Sequence, residues 1–291
     1  MTRQPRDKRR SRTTVKLTRR DEALLRALGR FRLARSSDVG RLFFPGRHRD
    51  VLAARLRRLY DAHYLETHVL DRAAENVYSL GREGQAWLRA RGVAVGAVPR
   101  PPWHHHLGIV WLWSKTAAAV NGVEGLRLIR FVPDWDAREQ GGATGLEVVP
   151  DAVVDVAAVG DGRRVAVRVL AELDRGTESV EVLRRKLHAL AARPGAPGSV
   201  PSTRDLVLVV MLDEAGRRRE GKMRDLLASE WPQRARLWTD ETDLVAELQQ
   251  LLGIAATPAT DSRHGNGRER AANADPPMLP PVAGGGPSAD E

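Results

Sequence analysis

Val149-Pro150-Asp151 and, further along, Ala171-Glu172-Leu173-Asp174-Arg175-Gly176-Thr177 are the stretches that decide how this chain reads. Each acidic cluster ends an apolar run with the make-up of a strand, over residues 147–156 and 164–173. Side chains two apart in a strand share a face. If these strands pair, Asp151, Glu172 and Asp174 meet at one sheet edge. Three carboxylates in one place repel one another unless a cation, a basic group or a shared proton relieves them. That arrangement points to chemistry rather than to packing.

The segments around the two stretches alternate. Residues 103–121 read as a helix, 126–131 as a strand and 178–192 as a helix, with Thr177 and Glu178 as its cap. Residues 205–212 form a nearly continuous apolar run, as in a strand buried on both faces. A helix over 219–229, a short strand over 234–238 and a helix over 241–252 close the series. The expectation for 103–254 is an α/β domain, a mixed sheet flanked by helices. The proline-rich residues 93–102 read as a linker.

The region before that linker has a different order. Thr18 is an N-cap with Asp21 and Glu22 behind it, and Leu24, Leu25, Leu28 and Phe31 recur at helical spacing. Ser36 or Ser37 caps a second helix with Val39, Leu42 and Phe43. A third helix over 49–63 carries Leu52, Leu56, Leu59 and Tyr60 on one face. Residues 64–69 and 77–80 read as a hairpin around a polar loop, and a fourth helix contains Trp87 and Leu88. Three helices, a two-stranded wing and a closing helix, over 17–92, are the order of a winged helix-turn-helix.

Charge separates the two halves. Residues 1–20 carry nine Arg and Lys against one acid, and residues 21–92 carry 14 basic against nine acidic side chains. The chain as a whole is +10, so the remainder is net negative. The polyanion-binding half is therefore the N-terminal half. Residues 1–16 read as a disordered basic arm, and 255–291, rich in Pro, Gly and Ala, as a disordered tail. Without cysteine there are no disulfides and no thiolate zinc sites. No apolar run reaches the length of a membrane span and no signal peptide is visible, so the expectation is a cytoplasmic protein with no membrane partner. There is no P-loop and no nucleophile elbow. All three tyrosines, Tyr60, Tyr64 and Tyr78, lie in the first domain, which argues against a relaxase. His104-His105-His106 is not a helical chelate, because consecutive residues diverge by about 100°.

With Leu52, Leu56 and Leu59 facing inward, Arg47, Asp50, Ala54, Arg57, Arg58 and Asp61 face outward. A recognition helix presents such residues to duplex DNA. Arg47 and Arg57 are the first candidates for contact and Arg58 shares their face. Arg72 in the wing loop reaches a neighbouring groove, and the arm, with Arg9 and Arg10, follows the backbone.

Asp, then Glu-x-Lys on the adjacent strand, is the PD-(D/E)xK pattern of metal-dependent nucleases. Its carboxylates hold Mg²⁺, which takes oxygen ligands and activates water. Here Asp151 and Glu172 match, but Asp174 stands where the lysine belongs, as an extra metal ligand at best. Lys186, on the following helix, is the candidate substitute. The catalytic candidates are thus Asp151, Glu172, Asp174 and Lys186, and the metal candidates the three acids.

The segment 18–252 resembles the replication-relaxation family of plasmid and mobile-element proteins. The resemblance rests on Thr18-Arg19-Arg20-Asp21, the Tyr78-Ser79-Leu80-Gly81-Arg82-Glu83-Gly84 turn, His106-Leu107, Pro150-Asp151, and Glu172-Leu173-Asp174-Arg175-Gly176-Thr177-Glu178 followed by Lys186. An aromatic expected shortly after Lys186 is replaced by Leu190. The resemblance implies a winged helix followed by a restriction-endonuclease-like α/β domain. It implies a DNA-binding accessory factor in plasmid replication, DNA relaxation or conjugative mobilisation, with a relaxase or replication initiator as protein partner. The missing lysine implies an impaired nuclease domain. The alternatives are an active Mg²⁺-dependent nickase or endonuclease and a winged-helix transcriptional repressor.

Overall fold

Thr18 opens the structure as the sequence predicts. The computed structural model describes residues 15–70, 75–139, 148–160, 163–192, 203–212, 216–232, 234–239 and 241–253. Arg9 and Arg10 of the arm, Arg72 of the loop and the 255–291 tail lie outside the described residues. Packing divides the chain into two compact units, one reaching Lys115 and the other starting at Thr116.

In the first unit, helix α1 (Arg19–Phe31) begins at a reciprocal cap. The Asp21 amide donates to Thr18 Oγ1 at 3.3 Å, and the Thr18 amide donates to Asp21 Oδ2 at 2.7 Å. A two-residue strand β1 (Ala34–Arg35) leads into α2 (Ser36–Phe43). The residue flanking α2 is Arg35, not Ser36 or Ser37; its amide donates to Asp38 Oδ2 at 3.2 Å. Both serine hydroxyls are instead turned to the Glu75 carboxylate, at 2.8 Å each. Helix α3 (Arg49–Asp61) follows a turn at Gly46, then β2 (Leu65–His68), β3 (Val77–Leu80) and α4 (Arg82–Arg89). The sheet has the order β1-β3-β2, all antiparallel. The expected hairpin therefore has a third, very short strand, which two residues are too few to announce by alternation.

Helix α5 (His104–Asn121) was expected to open the second domain. Its residues to Lys115 count with the first unit instead. The cause is packing: Leu107 shares a buried cluster with Leu33 and Val77, and Trp113 stacks on Phe31 with ring centroids 4.1 Å apart. His106 Nε2–H donates to the Phe31 carbonyl at 2.5 Å. Burial pushes that imidazole down to about 4, so it is neutral at neutral pH.

The second unit is built on a five-stranded sheet, order β4-β5-β6-β7-β8. Its strands are β4 (Leu126–Pro133), β5 (Ala152–Gly160), β6 (Arg163–Asp174), β7 (Thr203–Leu212) and β8 (Ala235–Trp238). The first three are antiparallel, and β6-β7 and β7-β8 are parallel, so the sheet is mixed. A short helix, α6 (Asp134–Glu139), follows β4, and α7 (Val180–Ala191) carries the chain between β6 and β7. A 3-10 turn at Gly216–Arg219 feeds α8 (Glu220–Glu230), and α9 (Leu244–Leu252), capped by Asp243, packs on β5 and β6. Leu183, Leu187 and Leu190 of α7 and Met223 and Leu227 of α8 bury Leu170 of β6. On the same face Arg168 and Arg130 enclose Asp155, with Arg168 Nε donating at 2.7 Å and Arg130 Nε at 3.1 Å. Among the described residues, no helix is long and apolar enough to cross a membrane.

Gly81 and Gly84 let α4 start against the strand entry. A Cβ at Gly81 would lie 2.3 Å from the His63 carbonyl oxygen, and one at Gly84 would lie 2.4 Å from that of Tyr64. Backbone cannot step aside as a side chain can. Gly84→Ala is expected to destabilise the protein by about 1–3 kcal/mol through overpacking. Chemical denaturation checks this; an unchanged midpoint would mean the contact is not tight.

Candidate functional site

The hairpin register puts two acids across from each other. Ala152 pairs with Ala171, and the residue before β5, Asp151, falls opposite Glu172 near the end of β6. Asp151 thus opens its strand rather than closing one, because residues 148–151 precede β5. Asp151, Glu172 and Asp174 are 7%, 1% and 4% exposed. Asp151 Oδ2 accepts from the Leu173 amide at 2.8 Å, which fixes it against β6.

Lys186 reaches this pair from α7. Ser179, not Thr177 or Glu178, caps that helix: its hydroxyl accepts from the Val182 amide at 3.2 Å. Leu183, Leu187 and Leu190 then face the sheet, and Lys186 stands at the flank of their stripe. Its Nζ contacts Glu172 Oε2 directly and lies 3.7 Å from Asp151 Oδ1. Asp174 is held separately. Its Oδ1 accepts from the Gly176 amide at 2.8 Å and pairs with Arg219, whose guanidinium also donates to the Glu178 carbonyl.

Burial first, and then the neighbouring Asp151, push the Glu172 carboxyl up to about 8 against the opposing pull of Lys186. For Lys186, burial lowers its pKa, but Glu172 and Asp151 outweigh burial and raise it. The ammonium therefore stays charged, and burial wins at Glu172. The charge balance works in the same direction. Three carboxylates face two cations, an excess of one negative charge that a proton on Glu172 removes. Glu172 Oε1 and Asp174 Oδ2 are buried with no hydrogen-bond partner among the described residues.

The four catalytic candidates thus fall into two places. Asp151, Glu172 and Lys186 come together, while Asp174 is drawn to Arg219. Arg219 was not foreseen. Its signal in the sequence is the Arg217-Arg218-Arg219 run after β7, which enters α8 beside the β6 end. A magnesium ion would take carboxylate oxygens as direct ligands. Here Lys186 and Arg219 sit on those oxygens. Among the described residues no three acidic or imidazole side chains form a group able to hold a metal ion. The side chains as arranged do not fit Mg²⁺.

The second candidate surface is α3. Asp50, Ala54, Arg57 and Arg58 are exposed on its outer face, and Arg47 is exposed in the turn before it. Arg57 Nε donates to both Asp61 carboxylate oxygens, at 2.9 and 3.0 Å. Arg58 lines an open cleft of about 390 Å³ beside the start of α1. On the inner side Arg55 is committed to Asp21, with Nε to Oδ1 at 2.9 Å. Burial tends to raise the Asp21 carboxyl, but bonds from Arg55 and Thr18 hold it below its usual value.

Comparison with known families was positive. A family model described as replication-relaxation matches residues 25–191, more than half of the chain. The match spans α3, Asp151, Glu172, Asp174 and Lys186, and it ends before Arg219. No curated protein and no solved structure matches the chain.

Removing the Lys186 charge should leave a buried acid pair uncompensated. Lys186→Met is expected to lower stability by about 2–4 kcal/mol. Adding Glu172→Gln should recover part of it; no recovery in the double variant would show that the pair is not what Lys186 serves. The raised Glu172 means the folded state holds this proton more tightly than the unfolded chain. Its contribution is full below the ordinary value of 4.5 and is lost as pH rises through about 8. Glu172→Gln should flatten the stability profile in that window, measured by urea denaturation at several pH values.

Proposed function

The chain belongs to the replication-relaxation family, and from that premise we propose that it is an accessory protein of plasmid or mobile-element replication, DNA relaxation or conjugative mobilisation, acting by binding duplex DNA. The carrying observation is α3, which buries Leu56 and Leu59 and leaves Arg57 and Arg58 exposed, with Arg47 just before it. In this reading the first unit is a winged helix-turn-helix and α3 is its recognition helix. The charge of residues 1–20, nine basic against one acidic, adds further phosphate contacts.

The second unit is read as a PD-(D/E)xK-like domain whose site is closed by its own cations. In this reading Lys186, paired with Glu172, stands in for the motif lysine, and Arg219 pairs with Asp174. Such a domain clamps DNA or assembles with a relaxase or replication initiator, without cutting. One observation favours an active nuclease as the second reading: a lysine does stand between Asp151 and Glu172.

Mobility shift in rising salt tests the binding. Affinity for duplex DNA should fall log-linearly with salt, and Arg58→Ala should reduce the slope by about 1. Deleting residues 1–16 should weaken binding and flatten the slope further. Unchanged slopes would take the arm and Arg58 off the DNA, and no shift at low salt would end the binding reading. Supercoiled plasmid should stay intact with Mg²⁺ or Mn²⁺. Metal-dependent nicking that disappears in Asp151→Ala and Glu172→Ala would establish the nuclease instead.

A further inference from the structure

We propose that α3 reads thymine, with Val51 and Ala54 receiving thymine 5-methyl groups in the major groove. The inference rests on the DNA-binding reading of α3 and adds the base class that it recognises.

Val51 is an apolar side chain left 50% exposed on a helix whose other outward residues are mostly charged. It sits in the first turn of α3, where a recognition helix meets base edges. Ala54, also exposed, follows three residues on and shares that side of the helix. Both line the 390 Å³ cleft, together with Phe44. Arg20 and Arg58 give it a basic wall, Arg55 and Asp21 line it as a mutual ion pair, and the Arg20 guanidinium lies over the Phe44 ring, 4.8 Å from the centroid.

An apolar floor with a cationic wall fits a ligand that carries an apolar group between anions. In duplex DNA that group is the thymine methyl. Among the four bases only thymine offers a methyl in the major groove; the others present donors and acceptors. A polar base edge set against Val51 would lose its water without compensation. Asp50, exposed beside Val51, would be repelled by a phosphate. This turn therefore faces bases rather than backbone, while Arg58, about two turns further along, faces phosphate.

The size of the effect follows from the group read. One methyl withdrawn from water corresponds to about a fourfold change in affinity. The full-length chain is used to enrich duplexes from a random-sequence library at low salt. Each thymine of the enriched duplex is then replaced by deoxyuridine, which lacks only the methyl. At one position or more, wild type should bind about fourfold more weakly. Val51→Ser should bind the thymine and deoxyuridine duplexes equally there, whereas Val51→Thr should keep the preference, because its methyl remains. Tolerance of deoxyuridine everywhere by wild type would overturn the proposal, as would a preference that survives in both Val51→Ser and Ala54→Ser. Failure to enrich any duplex would instead remove the DNA-binding reading, and this inference with it.

Discussion

A pair of carboxylates withdrawn from water needs a cation beside it, and the second unit is organised around that need. Burying an isolated ion costs several kcal/mol even after relaxation. Asp151 and Glu172 are set opposite each other by the β5-β6 register, so no local rearrangement separates them. Relief comes from elsewhere in the chain. Ser179 fixes where α7 starts, the leucine stripe fixes its rotation, and together they bring Lys186 to Glu172. The 3-10 turn before α8 brings Arg219 to Asp174 in the same manner. What one cation leaves uncompensated, a proton on Glu172 neutralises. Groups that resemble a metal site in sequence are thus balanced by the protein's own charges.

The first unit uses buried acids differently, as fasteners between helices. Asp21 joins α1 to α3 through Arg55. Asp38 accepts from the Ser114 hydroxyl of α5 at 2.7 Å and from Arg41 at 3.1 Å. Burial raises the Asp38 carboxyl, against the Ser114 bond and the nearby arginines. With the neutral His106 at the Phe31 carbonyl, these bonds hold α5 to the three-helix core up to Lys115. The polar groups spent inside are on the inner faces. The outer face of α3 keeps its arginines.

Much of this was legible in the sequence, and the misses have physical causes. Periodicity placed α1, α3 and α7 within a residue or two, because their buried faces recur at helical spacing, while β3, buried at all four positions, showed as a short strand-like run after a polar loop. The parallel partner β7 announced itself as an apolar run. Position along a strand was less secure: Asp151 was read as a strand end, but the strand begins just after it. Composition alone does not say on which side of Pro150 the ladder forms. A proline-rich stretch marks a linker in the chain, whereas the first packing unit extends through α5 as far as Lys115. Lys186 was found from the chemistry the acids require. Arg219 was missed because the pairing that brings it to Asp174 is between residues far apart in sequence, which no local pattern carries.

The two sources of positive charge do different work in the proposed complex. Around the outer face of α3, Arg47, Arg57 and Arg58 are set against Asp50 and Asp61, so little net charge remains there. The Arg57–Asp61 pair is exposed and worth only a few tenths of a kcal/mol, so a phosphate can compete for Arg57. A face with so small an excess supplies little of the salt-sensitive attraction to a polyanion. That attraction falls to the first twenty residues, nine basic against one acidic. Mixed charge is a handicap for holding backbone but not for telling bases apart, since acids, apolar groups and arginines each suit a different base edge. The arm then governs how tightly the protein holds DNA, and α3 governs where.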